Sequence, residues 1–129
     1  MSLEKFAYKP APKKSIYIAG PMTGLPDLNF PAFHARAAEL RALGHDVINP
    51  AEINPNQGMS WRDCMRTDIA ALVFCEAIDM LPGWENSIGA TLEHHIAQRL
   101  DMVITFAPGV APGRPDGTPV ELVPDWAAA

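Results

Sequence analysis

The sequence has few of the residues on which a disulfide framework or a membrane anchor depends. Its two cysteines, Cys64 and Cys75, fall in one predicted helix, too far apart along it to bridge, and their spacing matches no CxxC metal or redox motif. Reduced thiols in a cytosolic protein are the simplest interpretation. No apolar run approaches the ~20 residues that cross a bilayer, and no signal peptide is visible. We therefore expect a cytoplasmic protein with no membrane partner.

Clustered positive charge is also missing from the part of the sequence that is predicted to fold. The 129 residues carry a formal net charge of −5, and no run of Lys or Arg lies inside that part. A nucleic-acid-binding surface is normally basic, so a nucleic-acid polymer is not an expected partner. Four lysines lie near the amino end, two of them beside Pro10 and Pro12. We interpret residues 1–14 as a flexible, solvated tail.

The residues that are present suit one globular domain. Hydrophobic residues make up 48% of the sequence and charged residues 19%, which is not the composition of a disordered chain. A domain of this length buries roughly two-thirds of the surface that its unfolded chain exposes, so it needs no disulfide or metal to fold. His34 and His45 have no partner at ligand spacing, and the adjacent His94 and His95 point in different directions on a helix. We predict no metal site.

Short apolar strands alternate with helices along residues 15–106. The predicted strands cover residues 15–22, 45–50, 77–81 and 102–106. The predicted helices cover residues 30–43, 60–74 and 87–100, with Asn29, Ser60 and Ser87 as N-caps and Gly44 as a stop. This alternation predicts an α/β fold with a mostly parallel sheet and helices on both faces. Residues 107–129 contain five prolines and three glycines, and we interpret them as an irregular tail with at most a short strand at 120–123.

Ligands of open α/β sheets bind at the carboxyl ends of the strands, where the strand order reverses. We therefore expect a site among residues 20–28, 51–59 and 82–87. The turn at 20–24 (GPMTG) follows a strand and precedes a helix, so its backbone N–H groups suit an anion or a sugar hydroxyl. It is neither a P-loop nor a GxGxxG motif. Trp84 either stacks on a base or covers the core.

Two acidic residues fall on the predicted buried faces of consecutive helices. One apolar stripe consists of Trp61, Met65, Ile69 and Leu72, and the other of Ile88, Leu92, Ile96 and Leu100. Asp68 lies inside the first stripe and Glu93 inside the second. A buried carboxylate is costly without partners, and burial is how such a group acquires a shifted pKa and a chemical role. A single helical acid is usually solvated, but two together favour a site. Gly89, one turn before Glu93, would let a ligand approach it.

Three motifs in this sequence resemble those of the nucleoside 2-deoxyribosyltransferase-like superfamily, in particular its small phage- and bacteria-associated branch. They are IAGPMTG at 18–24, RTDI at 66–69 and LPGWENSIGATLEHHIA at 81–97. The resemblance covers roughly residues 15–106, which we take as the domain. It implies a three-layer flavodoxin-like or Rossmann-like fold with strand order 2-1-3-4 and usually a fifth strand. It also implies an enzyme without a cofactor that cleaves the N-glycosidic bond of a 2′-deoxynucleoside or its 5′-monophosphate, as a transferase or a hydrolase.

The resemblance assigns roles to particular residues. Glu93 matches the family's nucleophile, which forms a covalent glycosyl ester, and Asp68 matches the acid that orients it and protonates or positions the base. The substrate-binding residues that we predict are Tyr17, Gly20, Pro21, Met22, Thr23, Trp84, Ser87 and Gly89. Relatives often complete the pocket from a neighbouring subunit, so a homo-oligomer, dimer or larger, is expected. The GPMTG loop has fewer polar and basic residues than relatives that act on monophosphates, which favours nucleosides.

Two other interpretations of this sequence stay open. A non-catalytic nucleotide-binding accessory protein would keep the same fold and turn nothing over. A protein that uses the fold only for interaction is the weaker alternative, since a fold does not fix a function. The joint presence of Asp68, Glu93 and Gly89 favours the enzyme. The carboxyl-terminal segment, which matches nothing in the family, favours the accessory protein.

Overall fold

A computed structural model describes residues 14–54, 58–110 and 121–122, and the two predicted tails lie largely outside these ranges. The strands are β1 (Ser15–Ala19), β2 (Asp46–Ile48), β3 (Ala77–Met80), β4 (Val103–Phe106) and β5 (Glu121–Leu122). The helices are α1 (Phe30–Ala42), α2 (Pro50–Ile53), α3 (Trp61–Leu72) and α4 (Ile88–Arg99). Two short 3-10 helices, Pro26–Asn29 and Trp84–Asn86, lie in segments that were predicted as loops.

The strands form one sheet in the order β2-β1-β3-β4-β5. The first four are parallel, and β5 pairs antiparallel with β4. The chain runs from β1 to β2 in one direction across the sheet, and from β2 to β3 and from β3 to β4 in the opposite direction. Because such crossovers are right-handed, α1 lies on one face of the sheet, and α3 and α4 lie on the other. α1 packs against β1 and β2, and α4 packs against β1, β3 and β4. The flavodoxin-like α/β fold with strand order 2-1-3-4 is therefore confirmed.

The strand order reverses between β1 and β3, and the loops that follow these two strands touch at the carboxyl edge of the sheet. A Cβ atom on Gly20 would lie 2.7 Å from the Cβ atom of Leu81. Gly83 has a φ of +83°, and a Cβ atom there would lie 3.3 Å from Cγ of Pro21. The absence of a side chain at these two positions lets both loops reach the same crevice.

Of the three predicted N-caps, Ser60 and Ser87 are confirmed with their side-chain hydrogen bonds, and Asn29 differs. The Ser60 hydroxyl accepts the Asp63 N–H, and the Ser87 hydroxyl accepts the Ala90 N–H, each at 3.1 Å. Asn29 occupies the N-cap position of α1 but makes no side-chain cap hydrogen bond. Its side-chain amide donates instead to the Pro21 carbonyl oxygen at 2.9 Å, so it fastens the loop after β1.

The predicted apolar stripes are only partly right. On α3, Met65, Asp68 and Leu72 are buried, but Trp61 is half exposed. On α4, Ile88 is 78% exposed, and Leu92 and Leu100 are also exposed. The buried face of α4 consists of Gly89, Ala90, Glu93 and Ala97. Small residues let α4 lie close to the sheet, which turns its large apolar side chains outward.

A buried ion pair on the α1 face of the sheet was missed in the sequence analysis. Asp79 of β3 is fully buried and accepts hydrogen bonds from Nε and Nη2 of Arg36 at 2.8 and 2.9 Å. The Thr105 hydroxyl of β4 also donates to Asp79, at 2.5 Å. Arg36 reaches Glu39 through Nη1 at 2.9 Å. The charge of Asp79 is thus satisfied by α1 and β4, and the pair fixes α1 to the sheet.

Among the described residues, no helix is long and apolar enough to cross a membrane.

Candidate functional site

A cavity of about 210 Å³ opens at the carboxyl edge of the sheet, where residues of β1, α1, α3 and α4 line it. Eight of the residues predicted for the site line it: Tyr17, Gly20, Met22, Thr23, Asp68, Ser87, Gly89 and Glu93. An adjoining groove of about 420 Å³ shares part of this wall and is also lined by Pro21. The structure thus brings together residues from β1, α3 and α4 that are up to 76 positions apart in the sequence.

Trp84 is the predicted substrate-binding residue that lines neither space. Its indole ring lies against the imidazole of His94, with ring centroids 4.4 Å apart, and it packs at the margin of the core. Its Nε1 atom is buried and has no hydrogen-bond partner among the residues that the structure describes. This placement agrees with the alternative that Trp84 covers the core.

Glu93 is the more deeply buried of the two acids. The residue is 5% exposed, and its carboxyl group accepts a hydrogen bond from the Tyr17 hydroxyl. The pKa of Glu93 is raised to about 8, mainly by burial; the Tyr17 hydrogen bond opposes this rise and the negative charge of Asp68 adds to it. A carboxyl group with this pKa retains its proton at neutral pH more readily than a solvated one.

Asp68 lies across the same cavity on α3 and is 7% exposed. Burial raises its pKa to about 6, and a hydrogen bond from Asn54 opposes that rise. The Asn54 Nδ2 atom donates to Asp68 Oδ1 at 2.6 Å. Asn54 also lines the cavity and was missed in the sequence analysis, although it lies in the 51–59 segment that was expected at the site. The segment was predicted from topology, but no sequence signal singled out one of its polar residues.

Tyr17 stays protonated beside these acids. Its pKa is raised well above the usual value by burial first, and then by the charges of Glu93 and Asp68. The hydroxyl therefore remains a hydrogen-bond donor across the neutral range. Since it donates to Glu93, it favours the ionised form of that carboxyl group.

Gly89 has a packing reason in addition to its place in the cavity wall. A Cβ atom there would lie 3.1 Å from Sδ of Met65, which is closer than side chains normally pack. The glycine therefore lets α3 and α4 approach each other and brings Asp68 and Glu93 to one space. Access of a ligand to Glu93 past Gly89 stays a prediction.

The chemistry available in this cavity is that of two carboxyl groups. Among the described residues that line the cavity and the groove, none is Lys, Arg or His. The described ranges also contain no group of three side chains that could hold a metal ion. With pKa values of about 6 and about 8, Asp68 and Glu93 together hold one proton across the neutral range. Such a pair supplies a proton donor and a nucleophile or base in one site.

Comparisons with known proteins agree with this architecture. The fold is similar to that of a 2-desoxiribosyltransferase from Leishmania mexicana, with a TM-score of 0.58 and 23% sequence identity. The match covers 74% of this chain and 64% of that protein's chain, and at this identity it shows the fold alone. No curated protein matches the sequence. A family profile described as domain of unknown function DUF4406 matches residues 14–106. The chain therefore belongs to the DUF4406 family, and it shares the fold of a 2-desoxiribosyltransferase.

Proposed function

We propose that this protein is an enzyme that cleaves the N-glycosidic bond of a 2′-deoxynucleoside and passes the sugar to another base or to water. The observation that carries the proposal is the pair of buried acids, Asp68 and Glu93, which line one cavity with Tyr17 hydrogen-bonded to Glu93. The fold that the chain shares with a 2-desoxiribosyltransferase supports the same class of reaction.

Because the pKa of Glu93 is higher than that of Asp68, the single proton of the pair lies mainly on Glu93, and the reactive form is the one in which that proton has moved to Asp68. In the proposed first half-reaction, the Glu93 carboxylate oxygen of this form attacks C1′ of the sugar. The C1′–N bond breaks, its electron pair goes to the departing base, and Asp68 gives its proton to that base. The transition state resembles an oxocarbenium ion, and the Glu93 carboxylate stabilises its positive charge. The product of this step is a covalent ester between Glu93 and the deoxyribosyl group.

The proposed second half-reaction releases the sugar. The nitrogen of an acceptor base, or a water oxygen, attacks C1′, and the C1′–O bond to Glu93 breaks with its electrons returning to the carboxylate. Asp68 takes the proton that the acceptor loses, which restores the starting state. Tyr17 donates a hydrogen bond to the Glu93 carboxylate before attack and after release, so it favours cleavage of the ester, which releases that carboxylate. No cofactor is needed for either step.

The charge of the cavity favours a nucleoside over a 5′-monophosphate. The described lining has two acidic side chains and no cationic one. A phosphate dianion in this space would be repelled by whichever of Asp68 and Glu93 is ionised, because charges interact strongly where water is excluded. We therefore propose that the preferred substrate is uncharged at its 5′ end.

We further propose a cytoplasmic homo-oligomer. Exposed apolar side chains of α3 and α4, two of which line the groove, support a contact with a second copy, because large exposed apolar patches commonly mark interfaces. They include Trp61, Ile88 and Leu92. Light scattering of the purified chain measures its mass in solution, and a monomer at micromolar concentration would contradict this part of the proposal.

The two pKa values predict a bell-shaped pH dependence. Below about pH 6 both carboxyl groups are protonated and Glu93 cannot attack. Above about pH 8 both are ionised and no proton is available for the base. We expect kcat/KM to be largest between these values and to fall about tenfold per pH unit beyond each limb. A profile that is flat from about pH 5 to pH 9 would contradict the assigned pair.

Incubation with each 2′-deoxynucleoside and its 5′-monophosphate, with and without a free acceptor base, tests the proposed function. Base released without an acceptor indicates a hydrolase, and exchange only with an acceptor indicates a transferase. We expect one of these results, with nucleosides turned over faster than monophosphates. Binding of the nucleosides without any turnover would support the accessory-protein alternative and reject the enzyme.

A further inference from the structure

Asn54 is held at the cavity by a helix only one turn long. The N-cap of this helix, α2, is Asn49, whose buried side-chain oxygen accepts the Ala51 N–H at 3.0 Å. The backbone N–H of Asn54 donates to the Pro50 carbonyl oxygen at 3.0 Å, which ends the turn. Asn54 therefore has a fixed backbone at the carboxyl end of β2, where its side chain joins the cavity lining.

The Asn54 side chain is joined to Asp68 by a short hydrogen bond. The Nδ2–Oδ1 distance is 2.6 Å, and the two residues are only 8% and 7% exposed. Only the amide nitrogen can donate to a carboxylate, so this contact sets the orientation of the amide group as well. Hydrogen bonds to an ionised group are stronger than neutral ones, and both residues are buried from water that could replace the bond.

We infer that Asn54 is the positioning residue for Asp68: its amide nitrogen holds Oδ1, and Oδ2 is left as the oxygen that meets the leaving base. The inference rests on the proposed function for the identity of that ligand. It adds a neutral donor at the carboxyl end of α2 to the acids on α3 and α4 and the tyrosine on β1. Loss of this donor would free the Asp68 carboxyl group to turn away from the base.

The pKa of Asp68 depends on the groups that face it, and Asn54 is one of them. Glu93 from α4 and Tyr17 from β1 lie within electrostatic reach of Asp68, and Cys64 neighbours it on α3. Burial raises the pKa of Asp68, and the Asn54 hydrogen bond lowers it. Removing the amide donor should therefore raise the pKa of Asp68 above its value of about 6.

The test is an NMR titration of the Asp68 carboxyl carbon in the full chain, with 13C-labelled aspartate. We expect Asn54→Ala to raise the Asp68 midpoint by about one pH unit. Asn54→Asp, which keeps the side-chain size and replaces the donor by a second acid, should raise it further. Thr67→Val is the matched control, since the exposed Thr67 hydroxyl bonds to the Asp63 carbonyl oxygen and not to Asp68. It should leave the midpoint unchanged.

Kinetics of the same variants test the positioning role separately. Asn54→Ala should lower kcat by about tenfold or more with a smaller change in KM, and should move the acid limb of the pH profile upward. If the wild type turns over no nucleoside, the proposed function fails, but the titration still tests Asn54. An Asp68 midpoint that is the same in the folded wild type and folded Asn54→Ala would overturn the inference.

Discussion

Glu93→Gln is expected to reduce turnover of a 2′-deoxynucleoside by at least about a thousandfold, because an amide cannot form the glycosyl ester. Gln keeps the size of the side chain and can still accept the Tyr17 hydrogen bond, so the cavity should keep its shape. Nucleoside binding should therefore survive when turnover is lost. The measurement is steady-state release of the base, beside calorimetric binding of the same nucleoside.

The same substitution is expected to stabilise the folded protein at alkaline pH. The pKa of Glu93 rises from an ordinary 4.5 to about 8 on folding. The folded state therefore binds more protons than the unfolded state, and the stability from this group is present below about pH 4.5 and lost as the pH rises to about 8. Glu93→Gln removes that loss, and we expect a gain of about 2–4 kcal/mol at pH 8 and little change at pH 5.

Urea unfolding at the two pH values measures this effect, and Glu85→Gln is the matched control. Glu85 is an exposed acid in the 3-10 helix that precedes α4, so its replacement should change neither turnover nor the pH dependence of stability. Wild-type activity in the Glu93→Gln variant, or a loss of stability at pH 8, would show that Glu93 is not the buried nucleophile.

Asp79→Ala is expected to destabilise the protein by about 3–5 kcal/mol, because it leaves the Arg36 guanidinium buried without its main partner. The two hydrogen bonds from Arg36 and the one from Thr105 all end on this carboxylate. The network lies on the α1 face of the sheet and none of its three residues lines the cavity, so the loss concerns stability and the attachment of α1. The measurement is the free energy of unfolding in urea at neutral pH.

Two further variants distinguish the cost of an unpaired buried charge from the cost of a lost side-chain contact. Glu52→Ala breaks the ion pair in which Glu52 Oε1 lies 2.6 Å from Nη2 of Arg41. Both side chains of this pair are nearly half exposed. The substitution should cost less than about 1 kcal/mol, since exposed pairs contribute little. The double variant Arg36→Met, Asp79→Leu removes both charges and should recover most of the loss. If Asp79→Ala costs no more than Glu52→Ala, the pair does not have the role given to it here.

The parts of the fold that could be predicted from sequence are those with local causes. The strands are short apolar runs, and Ser60, Ser87 and Gly44 act through atoms within four residues of themselves. The motif resemblance then supplied the strand order, which no local pattern contains. The acids Asp68 and Glu93 were found because a charged residue on a buried helix face is visible in the helical period.

The features that were missed depend on partners distant in the sequence. Asp79 lies inside a strand, and the charge of its buried carboxylate is compensated by Arg36, 43 positions away. Asn54 is 14 positions from Asp68, across a turn and the start of α3. The prediction of a buried Ile88 and Leu92 was wrong, because hydrophobicity alone does not reveal that small residues such as Ala97 form the buried face of α4. Each of these errors concerns which surfaces meet.

Intact-protein mass spectrometry after rapid acid quench measures the proposed intermediate most directly. The protein is mixed with a 2′-deoxynucleoside whose fluorine at C2′ slows both half-reactions by destabilising the oxocarbenium-like transition state. We predict a mass increase of one fluorinated deoxyribosyl group, which peptide mapping assigns to Glu93 and which Glu93→Gln abolishes. Turnover of nucleosides without such an adduct, or an adduct on another residue, would contradict the account.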